Sequence, residues 1–245
     1  MSKIYFKYGL ICFVIFTVSC KQYQISTKHY DNIQINNITL DSSIYNLYKP
    51  YKDSLDKIML MPIATLSDNI SKQQPSSTLG NLIADILYIE TQKLSKDTID
   101  FAITNYGGIR INTLPKGTLK ILDAFNIMPF ENTIGVLSIN DKEVQMLCDV
   151  MAQKGGWPIS SQINFKIKDG NAIDILINQK PLQENKIYKV AIIDYLVSGG
   201  DNMSFLKDKP YTNFNILFRD AIIEYLKNTK EPIIPPNQKR IMYAE

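Results

Sequence analysis

The chain has 245 residues, 45% of them hydrophobic and 21% charged, with a formal net charge of +3. That balance suits an ordinary globular protein of one or two domains, and no block is basic enough for a nucleic-acid footprint. A single histidine, His29, and three scattered cysteines argue against a self-contained metal hydrolase or a Ser-His-Asp enzyme.

In chain order, Lys3 and Lys7 precede an apolar run from Tyr8 to Val18 that ends in small residues before Cys20. The run is shorter than the roughly 20 residues a transmembrane helix needs. The arrangement resembles a bacterial lipoprotein signal over residues 1–19, with Cys20 lipidated as the first mature residue. Thr17 stands where such signals usually carry Leu, and a plain secretory signal or an uncleaved anchor is the alternative. Removal of residues 1–19 takes away Lys3 and Lys7, leaving 25 basic against 24 acidic side chains. Cys148 is then the only cysteine of the body, and no intrachain disulfide is expected.

Residues 20–40 read as a polar tether, with edge-strand alternation at Ile33, Ile35 and Ile38. A helix is predicted from about Ser43 to Lys57, its apolar face formed by Ile44, Leu47, Tyr51, Leu55 and Ile58. Pro50 should kink or split it. Met59–Thr65 reads as a strand and Ser67–Ser77 as a polar loop. Thr78 caps a strong helix, Leu79–Lys93, with Leu79, Leu82, Ile83, Ile86, Leu87 and Leu94 at helical spacing. Asp85 on that helix faces a neighbouring backbone or solvent, a structural residue in either case.

Ile99–Thr104 reads as a short buried strand running into Asn105 and the pair Gly107-Gly108, which permits φ > 0 and close approach to the backbone. Arg110 follows with a planar cation suited to carboxylate or phosphate. Leu114–Gly117 is a turn, and Leu119–Phe125 opens a further ordered segment. Ile134–Ile139 is a strand, and Asn140 caps a helix to about Gln153, with Glu143 placed for a capping box. Val144, Leu147, Cys148 and Met151 make that helix's apolar face. Gln162–Lys168, Ala172–Ile177 and Ile187–Ile193 read as an antiparallel meander. Asp194–Gly200 breaks the pattern before Asp201. A last helix is predicted from about Asn215 to Lys227, with Leu217, Phe218, Ala221, Ile222, Tyr225 and Leu226 inward, and a final strand at Arg240–Tyr243. No repeat or linker divides residues 41–245, which gives one mixed α/β (α+β) domain.

Four stretches carry a family resemblance when taken together and in order. They are Thr78-Leu79-Gly80-Asn81-Leu82-Ile83-Ala84-Asp85, Asn105-Tyr106-Gly107-Gly108-Ile109-Arg110, Met128-Pro129-Phe130-Glu131-Asn132, and Tyr195–Asp201. Their order and spacing resemble the C-terminal, substrate-binding domain of the 5′-nucleotidase family over roughly residues 40–245. The resemblance implies a single layered α/β domain that holds a nucleotide or nucleoside. It implies substrate and phosphate contacts at Asn105 and Arg110, with Gly108 between them, and two rings, Phe130 and Tyr195, that clamp a base. Tyr195 stands where the family commonly has Phe, which keeps the stacking face. Asp201 falls where a carboxylate accepts hydrogen bonds from ribose hydroxyls. The family usually has an arginine before the Gly-Asn-Leu helix; here Lys72-Gln73-Gln74-Pro75 offers a charge without the bidentate geometry.

In that family a separate metallophosphoesterase domain carries two metal ions and the catalytic His-Asp pair. The resemblance therefore implies a recognition half with no cofactor and no catalytic residue of its own, divalent metals being expected in a separate metallophosphoesterase subunit. The implied setting is an exported lipoprotein, held at a membrane by its lipid and facing the periplasm or cell surface. Alternatives are a non-catalytic surface module that captures nucleosides or related ligands, and a structural surface domain whose old site has decayed.

Overall fold

A computed structural model describes residues 41–245; the signal, Cys20, His29 and the tether with Ile33, Ile35 and Ile38 lie outside the described residues. The first helix, α1, spans Ser42–Met59. Pro50 neither ends nor splits it. A proline removes one i→i−4 bond, and on an exposed helix water takes over the freed carbonyl. The ion pair Lys49–Asp53 spans the proline. The predicted apolar residues Ile44, Leu47, Tyr51, Leu55 and Ile58 all stay exposed.

After α1, β1 (Pro62–Leu66) pairs antiparallel with β5 (Gly117–Lys120). Within the predicted polar loop, β2 (Ile70–Ser71) pairs with β4 (Thr113–Leu114). Helix α2 spans Thr78–Leu94, and its cap is Ser77, one residue earlier than predicted, whose hydroxyl accepts from the Gly80 N–H at 3.0 Å. Leu79, Leu82, Ile83, Ile86 and Leu87 are buried, whereas Leu94, on the last turn, is exposed. Helix α3 (Ile121–Ile127) follows β5 directly.

Two four-stranded sheets organise the rest. The first has the order β11 (Tyr211–Leu217), β6 (Thr133–Asn140), β10 (Ile187–Ile193), β3 (Phe101–Ala102); the second runs β12 (Ile241–Tyr243), β7 (Ile163–Lys168), β8 (Asn171–Ile177), β9 (Lys180–Pro181). The predicted meander therefore holds only for β7 and β8, which turn on Asp169 and Gly170, both at positive φ (50° and 77°). Strand β10 instead lies between β6, antiparallel, and β3, parallel. Burial explains the choice: Val190–Ile193 are apolar and buried on both faces, the pattern of a central covered strand. The Ile99–Thr104 segment is buried as expected for its apolar residues, but its ladder shortens to β3, because Thr104 N–H bonds Pro158 carbonyl and Ser160 N–H bonds Ala102 carbonyl on the far side.

Helix α4 (Asp141–Gln153) carries the predicted capping box, with Asn140 accepting from Glu143 N–H at 3.0 Å and Glu143 accepting from Asn140 N–H at 2.8 Å. Cys148 is fully buried on its apolar face, and burial pushes its thiol well above the usual range. The last helix, α6, begins at Phe218 rather than Asn215 and runs to Asn228. Asn215 sits at φ 56° inside the irregular stretch of β11, a left-handed conformation incompatible with a helix start. Phe218, Ala221, Ile222 and Leu226 are buried. Strand β12 starts one residue later than predicted, because Arg240 is drawn inward as a side chain.

Candidate ligand-binding site

The chain leaving β3 delivers Asn105 to the end of the first sheet, where its side chain is buried. Its amide donates to Asp201 Oδ2 at 2.6 Å, while its buried Oδ1 has no hydrogen-bond partner. Tyr106–Gly108 then forms a single 3₁₀ turn. Neither glycine of the pair has positive φ, in contrast to the sequence expectation. Glycine is needed at 108 for space instead: a Cβ there would stand 2.6 Å from Asn105 Oδ1.

Arg110 is anchored by its N–H to the Ile127 carbonyl at 2.9 Å, and its exposed guanidinium lies 5.6 Å from the Phe130 ring centroid. That distance is within cation–π range. Phe130 sits in the loop between α3 and β6 and is 39% exposed. Tyr195 lies in the short helix α5 (Asp194–Val197) directly after β10, 40% exposed. Asp194, which the sequence reading passed over, ties the two ring-bearing segments together. Its carboxylate accepts from Thr133 N–H at 3.1 Å, from the Thr133 hydroxyl at 2.8 Å and from Tyr195 N–H at 2.7 Å. An acidic residue at the first helical position, where the dipole favours it, was the available signal.

After α5 the chain turns through Gly199 at φ 96° and returns Asp201 within hydrogen-bond reach of the Tyr195 hydroxyl. The ring lies against Gly200, where a Cβ would come 2.4 Å from Tyr195 Cζ. The Tyr195 hydroxyl donates to Asp201 Oδ1 at 3.2 Å. Partial burial first, and then the Asp201 carboxylate, hold that phenol above its ordinary range. Asp201 itself sits at φ 50°. For a non-glycine residue that is a strained backbone, of a kind that clusters at ligand sites.

Asn105, Gly108, Arg110, Phe130, Tyr195 and Asp201 all line one cleft of about 300 Å³, joined by Gly107 and Asn132. Asn132 belonged to a quoted motif yet was not among the candidates; an amide at the end of a ring-bearing loop suits it to a ligand's polar edge. The cleft combines two half-exposed ring faces, one guanidinium and a carboxylate already aligned by an amide and a phenol. Such a set can stack a flat ring, accept hydroxyl donors and oppose an anion. Lys72 is not part of the lining; its ammonium donates to the carbonyls of Ile109 and Tyr106 behind the turn. Among the described residues, no group of three or more His, Cys, Asp or Glu is placed to hold a metal ion. Also among the described residues, no helix is long and apolar enough to cross a membrane.

By fold and site this is a mixed α/β domain with a cleft lined by two rings, a guanidinium and a carboxylate. The chain belongs to the family described as "5'-nucleotidase, C-terminal domain", whose model matches residues 62–208. It is similar to the 5'-nucleotidase of Vibrio cholerae, 22% identical over 197 residues that make up 76% of this chain and 34% of that protein. It is also similar to protein UshA of Escherichia coli, 26% identical over 142 residues, 56% of this chain and 26% of that one. The chain thus spans about a third or less of the length of these relatives. Among solved structures, a 5'-nucleotidase precursor from Thermus thermophilus shares the fold, with TM-score 0.69 and 20% identity over 83% of this chain and 43% of that one.

Proposed function

We propose that this chain is the nucleotide- or nucleoside-recognition half of a 5′-nucleotidase, an enzyme that hydrolyses phosphate monoesters in nucleotide breakdown. A metallophosphoesterase chain would supply the divalent metals and the catalytic groups. The observation that carries the reading is the meeting of Phe130, Tyr195, Arg110 and the Asn105–Asp201 pair at one cleft. The rings take the two faces of a base. Asp201 accepts from ribose hydroxyls while its own alignment is kept by Asn105. Arg110 opposes the phosphate.

Calorimetry with adenosine and AMP tests this. The folded chain should bind both, AMP more tightly. Arg110→Ala should cancel most of AMP's advantage. The loss should be about 1 kcal/mol, between the ~0.5 kcal/mol of an exposed ion pair and the ~1.5–3 kcal/mol of a hydrogen bond to a charged group. Failure of the parent to bind either ligand overturns the recognition reading. Turnover of AMP by the repurified chain with added divalent metal overturns the division of labour.

The export reading rests on residues 1–20, which place a basic segment and an apolar run before Cys20. Lipidation there would hold the domain at a membrane, on its periplasmic or outer face. The mass of the mature N terminus checks it: a lipid-modified Cys20 is expected, and an intact Met1 or an unmodified end excludes it.

A further inference from the structure

We propose that Lys72 is a positioning residue for this cleft, one that shapes the Tyr106–Arg110 turn from behind and sets how Arg110 faces a ligand it never touches. The ligand class rests on the recognition reading above; the positioning itself does not. The backbone of Lys72 is pinned where the turn ends. It follows β2, which pairs with β4, and its N–H donates to the Asn112 carbonyl at 2.8 Å. From there the side chain crosses the inside of the loop. Its ammonium donates to the Ile109 carbonyl at 2.7 Å and the Tyr106 carbonyl at 3.3 Å, and lies 4.1 Å from the Tyr106 ring centroid.

An ammonium has three donors and accepts nothing. Here two meet backbone carbonyls and the ring face takes up the charge, so little is left to offer a ligand. The two carbonyls bracket Gly107 and Gly108, which line the cleft, and Ile109 is bonded directly to Arg110. A third carbonyl of the turn, Gly107, accepts from Arg110 Nη1 at 3.4 Å. One part-buried cation thus draws both ends of the turn inward, and the guanidinium caps its middle. Glycines are the residues least able to hold such a shape by themselves. Burial, and then the charge of Arg110, lower the Lys72 pKa, in keeping with an ammonium drawn out of solvent beside a second cation.

The test uses Lys72→Met, which keeps most of the stem and removes the ammonium. Without any ligand, amide hydrogen exchange at Gly107–Arg110 should speed up while the amides of β10 keep their protection. In calorimetry, Lys72→Met should weaken AMP severalfold, up to about the fivefold that loss of Arg110 itself costs, since it acts only through that contact. In an Arg110→Ala background the same change should make no further difference to AMP, because Lys72 acts through Arg110. Lys72→Arg, which keeps the charge but replaces the compact ammonium with a larger planar fork, should also loosen the turn, and it serves if Lys72→Met fails to fold. Two outcomes overturn the proposal: unchanged exchange across the turn, or losses of AMP affinity that simply add, which would make Lys72 a direct phosphate contact. If the parent binds neither adenosine nor AMP, the recognition reading fails, and the exchange measurement alone decides the positioning role.

Discussion

Asp85→Ala lowers the stability of the protein by about 3–5 kcal/mol, the cost of leaving one member of a buried ion pair alone, read from the shift in urea midpoint. The partner is Arg240, whose side chain is 4% exposed against 23% for Asp85. The pair is bidentate, with Arg240 Nη1 donating to Asp85 Oδ1 at 2.9 Å and Nη2 to Oδ2 at 2.6 Å. Arg240 Nη1 also donates to the Ile159 carbonyl at 2.7 Å, and Ser161 N–H donates to Asp85 Oδ1 at 2.9 Å. Removing the aspartate strands a buried guanidinium that has little water to turn to. The reverse change, Arg240→Ala, should cost less, since the freed carboxylate is partly wet. Asp85→Leu combined with Arg240→Leu should recover part of the loss, because neither charge is then left buried. A shift worth under about 1 kcal/mol for Asp85→Ala, the usual size for a surface pair, would show that the pair carries no structural weight. Ile159, whose carbonyl Arg240 holds, bridges Ile103 in the segment between β3 and Asn105.

The second large effect is on binding. Tyr195→Ala should remove most of the base-dependent affinity, about 1–3 kcal/mol for one stacked base. The lower half of that range is expected, because the ring is already 40% exposed and covers one face only. Tyr195→Phe keeps the face and loses the hydroxyl that donates to Asp201, so its cost should stay within about 1 kcal/mol. Adenosine and ribose 5-phosphate separate the contributions: the alanine variant should lose adenosine and keep ribose 5-phosphate. Circular dichroism confirms folding. A folded Tyr195→Ala protein that binds every ligand as well as the parent would make Tyr195 a packing residue on Gly200 and nothing more.

The features legible in the sequence are those whose causes lie within a few residues. The α4 capping box needs only Asn140 and Glu143, three positions apart. The α2 face needs only the recurrence of Leu79, Leu82, Ile83 and Ile86, and the β7–β8 turn needs only Asp169 and Gly170. The candidate residues of the cleft were readable because short motifs carried them, each beginning just after a strand or helix ends. Tertiary structure decided whatever depended on a distant partner. It placed β10 between β6 and β3, because a strand apolar on both faces gains most where both are covered. It joined Asp85 to Arg240 across 155 residues and turned Lys72 toward the carbonyls of a loop 34 residues or more away. It also set Asp194 between the two ring-bearing segments, through Thr133 on a strand 61 residues earlier. Hydrogen bonds and ion pairs of this kind leave no periodic trace in the chain, since a charged residue reads the same whether it meets water or a buried partner.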